Sequence, residues 1–130
     1  MDTTEDTTIT TVVDAYLAAY GEPDPDVRAI RIEASFADDC RLIDPPAVGE
    51  GRDGVHGLAD ALQGQFPGHT FRRSTAVDAH HHHARYGWEL VGPDGGVVLT
   101  GMDVASLAPD GRLERVVGFF GDVTPAGGDR

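Results

Sequence analysis

Asp103 is an acid on an otherwise apolar strand face. The stretch Val97 to Leu107 alternates as a strand does, so Val97, Leu99, Gly101, Asp103, Ala105 and Leu107 share one side. An ionised carboxylate buried there is costly, so the group must be paired, protonated or lining a cavity. Strongly perturbed acids gather where protons are moved, which makes Asp103 a candidate for acid–base chemistry. The opposite face, with Val98, Met102 and Val104, is also fairly apolar, and the other register would put Asp103 in solvent. Two further residues could join it. Asp44 ends a short apolar segment before Pro45, where a carboxylate either reaches into a cleft or forms a turn. Tyr16 lies on the apolar stripe of a helix, and its hydroxyl needs a partner, whether in the core or in a ligand.

The run His80-His81-His82-His83 invites a metal reading. Within an extended segment from Ala79 to Val91, His80 and His82 share a face with Ala84, Tyr86, Trp88 and Leu90. His81, His83, Arg85 and Glu89 take the other. Catalytic zinc wants three protein ligands and an open position. Each face offers two histidines, and no Glu or Asp sits in an obvious companion motif, so no metal site is assigned, and a surface or interface role is preferred. The even face faces the helices, where His82, Tyr86 and Trp88 can border a ligand pocket. Ala105 beside Asp103, and Val116 and Phe120 on the last strand, either line that pocket or pack the core. Cys40 stands alone, which excludes an intramolecular disulfide and suits a small core or edge residue.

The bulk numbers limit the classes of partner. The chain has 130 residues and 40% hydrophobic content, enough for one domain with one core. Its net charge is -12, and nucleic acid and anionic membranes attract basic patches instead. No run approaches the ~18 apolar residues of a membrane span. Met1 to Thr8 is acidic and Thr-rich, without the basic and apolar regions of a signal peptide, so it reads as a disordered tail of a cytoplasmic protein.

The elements that must position these residues follow from spacing and punctuation. Ile9, Val12, Val13, Tyr16, Leu17 and Tyr20 have helical spacing, with Gly21 as the stop. Asp26 is placed to cap a second helix, Val27 to Phe36. Cys40 to Asp44 reads as a short strand, Ala47 to Gly54 as a Gly-rich loop, and Val55 to Phe66 as a third helix. Extended segments follow over Thr70 to Asp78, Ala79 to Val91, Val97 to Leu107 and Arg112 to Gly121, separated by Pro- and Gly-containing turns. Residues 123–130 read as a C-terminal tail. Helices gathered before strands predict an α+β domain over 9–122, with three helices packed on a curved, mostly antiparallel sheet.

The segments VVDAYLAAY (Val12 to Tyr20), FADD (Phe36 to Asp39), IDPPAVGEGRDG (Ile43 to Gly54) and GMDVASLAPDGRLERVVGFFGD (Gly101 to Asp122) carry a family resemblance. The chain resembles the nuclear-transport-factor-2-like superfamily, in its SnoaL-like polyketide cyclase and ketosteroid isomerase branch. That resemblance implies a cone-shaped roll and commonly a homodimer. It implies Tyr16 as a donor to the substrate oxygen, Asp44 as the general base, and Asp103 as a second, protonated acid. The expected activity is cofactor-independent acid–base chemistry on a small apolar carbonyl compound, by isomerisation, cyclisation or dehydration. The alternative is a non-catalytic module of the same fold that binds an apolar ligand or dimerises.

Overall fold

A computed structural model describes residues 3–127. Three helices, α1 (Thr3–Tyr20), α2 (Pro25–Ser35) and α3 (Gly51–Gln65), pack on one seven-stranded sheet. The strands are β1 (Phe36–Asp44), β2 (Ala47–Glu50), β3 (Thr70–Arg73), β4 (Asp78–His80), β5 (His83–Val91), β6 (Val97–Leu107) and β7 (Leu113–Phe120). The sheet order is β2-β1-β7-β6-β5-β3, with β4 paired to β5. Every pair is antiparallel except β1 with β7, so the sheet is mixed. This is the expected α+β arrangement, an open curved sheet with its helices on one side. Among the described residues, no helix is long and apolar enough to cross a membrane.

Alternation along β5 and β6 set the inner face as expected. Ala84, Tyr86, Trp88 and Leu90 are buried, and Asp103, Ala105 and Leu107 join them from β6. The register pairs Tyr86 with Asp103 and Ala84 with Ala105, which puts them on the same side of neighbouring strands. On β7 the inner face holds Val116, Gly118 and Phe120, paired with Ala105, Asp103 and Gly101. Glu114 leaves that face. The ladder shifts register between Ser106 and Leu107, so Leu113 turns inward and Glu114 is exposed.

Several boundaries differ from those read in the sequence. Helix α1 begins at Thr3, not Ile9, because neither Gly nor Pro interrupts the preceding residues and helical hydrogen bonds propagate once nucleated. Met1 and Asp2, and residues 128–130, lie outside the described residues. Helix α2 is capped by Asp24, not Asp26, its carboxylate accepting from the Asp26 and Val27 backbone N–H groups, with Pro25 in the first turn. Strand β1 starts at Phe36, where the chain turns extended. The loop expected over Ala47 to Gly54 is instead β2 followed directly by the first turn of α3. Gly49 and Gly54 permit this, since a Cβ on either would strike the backbone of the other.

The long strand from Ala79 is broken. His81 adopts a left-handed φ of 54°, and the chain folds back so that His80 pairs with His83. The four histidines therefore form an exposed hairpin tip rather than two faces of one strand. His80 and His81 bring their Nδ1 atoms to 3.0 Å. Among the described residues, no group of three or more His, Cys, Asp or Glu is arranged to hold a metal ion.

Candidate active site

Tyr16, Asp44 and Asp103 come from three different elements and line one cavity of about 280 Å³. It lies between α1, α3 and the inner face of the sheet. Its floor holds Tyr16 and Leu17 of α1 with Asp103 and Trp88 of the sheet, all buried. Its mouth is formed by Pro46, Gln65, Phe66 and the half-exposed Phe120.

The helix supplies Tyr16 and, one turn on, Tyr20. Positions four apart stack on one helix face, so both rings point at the sheet. The Tyr20 hydroxyl donates to Asp44 Oδ2 at 2.8 Å. Asp44 sits at the last position of β1, part-buried, and burial raises its carboxyl above the usual range while the Tyr20 hydrogen bond pulls it back down. Helical spacing puts Tyr20 on the apolar stripe of α1, and the structure adds it to the site. Its spacing from Tyr16 was the available signal.

Asp103 is 1% exposed. The Trp88 indole N–H donates to its Oδ1 at 2.9 Å. Its Oδ2 and the Tyr86 hydroxyl are both buried, and neither has a well-formed hydrogen bond. Burial pushes the Asp103 carboxyl up to about 7, with the Asp44 charge adding to the rise and the Tyr86 and Trp88 groups opposing it. Burial also drives the Tyr16 and Tyr86 phenols well above their ordinary value, with the Asp103 charge contributing to both. Both phenols stay neutral at ordinary pH, so Tyr16 can act only as a donor or acceptor of hydrogen bonds, while Asp103 titrates near neutrality.

Two glycines make this arrangement possible. Gly118 of β7 lies beside both acids, and a Cβ there would collide with Asp44 Oδ1 and stand 3.1 Å from Asp103 Oδ1. Gly101 of β6 is covered by the Trp88 ring, whose atoms occupy the place of a Cβ. The indole can therefore lie flat across the strand and reach Asp103.

Of the expected pocket residues, Trp88 and Phe120 line the cavity. Tyr86 does not. It is buried behind Asp103 and bears on the site through that carboxyl. Ala105 and Val116, at 1% and 0% exposure, are core residues one pair further along the ladder, filled over by neighbouring side chains. His82 is in the exposed hairpin turn and is not among the lining residues, because the strand that would have carried it inward is broken. Cys40 is buried in the core, and burial raises its thiol.

The fold is an α+β cone whose apolar cavity is lined by two perturbed acids and a tyrosine. The family model for the SnoaL-like domain matches residues 13–116, and the chain belongs to that family. A solved protein of the SnoaL-like family from Agrobacterium tumefaciens, provisionally named an isomerase, is 36% identical. The match covers 89% of this chain and 99% of that one with a TM-score of 0.83. A protein of ketosteroid isomerase-like fold from Catenulispora acidiphila, solved with trimethylamine, is 14% identical over 83% of each chain with a TM-score of 0.68. A SnoaL-like protein from Jannaschia sp. CCS1, provisionally named a polyketide cyclase, is 16% identical over 90% of this chain and 85% of that one, with a TM-score of 0.66. The last two share the fold. No curated protein matches the chain.

Proposed function

We propose that the cavity carries out cofactor-independent acid–base chemistry on a small apolar carbonyl compound, by proton shuttling of the ketosteroid isomerase type. The observation that carries this reading is the convergence of two acids in different environments on one apolar cavity. Pairs of acids whose surroundings separate their proton affinities divide the roles of base and donor. Asp44, part-exposed and hydrogen-bonded by Tyr20, is the ionised base. It takes a proton from the carbon next to the carbonyl, and the bond electrons move to the carbonyl oxygen as an enolate. Tyr16 and neutral Asp103 donate hydrogen bonds to that oxygen. Protonated Asp44 then returns the proton to a carbon of the conjugated system, which leaves the enzyme unchanged and the double bond moved. Donors aimed at an oxyanion in a water-poor site are each worth about 10²–10³ in rate.

The test is exchange of α-hydrogens of a small cyclic enone for solvent deuterium. The wild type should exchange them, Asp44→Asn should abolish exchange, and Asp103→Leu should slow it by about 10²–10³. Exchange that survives both substitutions overturns the reading. The rival, a module that binds apolar molecules without proton transfer, predicts saturable enone binding with no exchange in the wild type.

The reading includes a homodimer through the outer face of the sheet. Arg85, Val104 and Val117 lie in register there beside Met102 and Phe119, and Val104 and Phe119 are exposed. A curved sheet with its helices all on the other side leaves this face uncovered.

A further inference from the structure

The cavity is more than apolar. Tyr16, Tyr20, Phe71, Trp88 and Phe120 form a continuous arc of rings around it, each touching the next with centroids 5.2 to 5.9 Å apart. Two carboxyl groups, Asp44 and Asp103, share that space. Among the described residues no Lys, Arg or His lines it, and neither acid has an ion-pair partner. Oδ2 of Asp103, in a residue that is 1% exposed, makes no well-formed hydrogen bond, with the neutral Tyr86 hydroxyl beside it. A carboxylate ionised against an apolar cavity is costly to bury unless a positive charge meets it.

Aromatic faces carry negative partial charge and attract organic cations whose centres lie within about 6 Å of the ring, with tryptophan the strongest. A trialkylammonium or tetraalkylammonium group also tolerates an apolar cavity, because its charge is spread under a shell of methyl groups and its hydration is weak. We propose that this cavity binds small alkylammonium cations, with the aromatic arc around the methyl groups and Asp44 as the counter-charge. The net charge of -12 adds long-range attraction for such a ligand. Binding needs one ionised carboxylate and no proton transfer, so the inference goes beyond the isomerase-type reading and can fail or stand without it.

Trp88 is the chain's single tryptophan, which gives both the readout and the cleanest perturbation. Trp88 fluorescence, or calorimetry, would be followed on titration with choline and with its uncharged carbon analogue, in which a tert-butyl group replaces trimethylammonium. The two differ in charge and barely in shape. Choline should bind at least tenfold more tightly than the analogue, and Asp44→Asn should remove most of that difference. Replacing tryptophan biosynthetically with its mono-, di- and trifluoro forms withdraws charge from the ring face at nearly constant size. Choline affinity should then fall stepwise, while any binding of the analogue stays flat. Equal affinity for the two probes, an affinity for choline unmoved by the fluorine series, or no binding of either would overturn the inference. Enone exchange measured on the same samples reports separately on the isomerase-type reading.

Discussion

The Asp103 carboxyl titrates near neutrality because it is buried, and that sets the pH behaviour of the site. As a donor it is competent while protonated, so the proposed reaction should slow as pH rises through about 7. Asparagine at this position keeps an N–H donor but cannot ionise. Asp103→Asn should therefore retain much of the rate and lose the alkaline decline, which a pH–rate profile would show. Tyr20→Phe acts at the other end. It removes the hydrogen bond that favours ionised Asp44, so the acid limb of the profile should move to higher pH. The same groups bear on stability. Asp103 holds its proton more tightly folded than unfolded, so folding free energy should fall between about pH 4 and 7 and level off above. Urea melts across that range should show the slope in the wild type and its loss in Asp103→Asn.

At the scale of elements, the site depends on where strands lack side chains. Gly118 leaves the gap on β7 into which the carboxyl of β1 and that of β6 both project. Gly118→Ala should push the two acids apart, costing about 1–3 kcal/mol by overpacking and abolishing exchange while the circular dichroism spectrum stays folded. The link between α1 and α2 relies on Arg28, which is 1% exposed. Its guanidinium donates to the Glu22 and Pro23 carbonyls and to Asp60 of α3. Arg28→Ala removes these hydrogen bonds and opens a void where the buried side chain lay, and should lower stability by about 2–4 kcal/mol with the inner site unaltered. The helix and strand types were readable because hydrophobic spacing reports which face is covered. Tyr16 and Leu17 of α1, and the β6 alternation, are the clearest cases. The break at His81 was not readable. Four identical histidines carry no burial pattern of their own, and neither Gly nor Pro marks the turn that the pairing of His80 with His83 makes there.

For the whole molecule, the uncovered outer face of the sheet is the feature that matters. Phe119 is 54% exposed on that face, beside Val104 and Val117. Phe119→Asp places a charge at the proposed contact between copies. Sedimentation should give a dimer for the wild type and a monomer for the variant, each with enone exchange read alongside. A monomeric wild type would remove the dimer from the proposal.

The sequence by itself determined the layers and the candidacy of Tyr16, Asp44 and Asp103, and it left two registers for Asp103 that the tertiary structure resolved inward. Burial periodicity and punctuation are local properties, and the quoted family segments span both ends of the site. Only the tertiary structure decided the company those residues keep. Tyr20 became the partner of Asp44, Trp88 the partner of Asp103, and Gly118 the opening between the two acids. It likewise moved His82 to an exposed tip and withdrew Ala105 and Val116 into the core. The physical reason is that these relations join residues far apart in the chain. Spacing along one element says which way a side chain points, and the curvature and register of the sheet determine what it meets there.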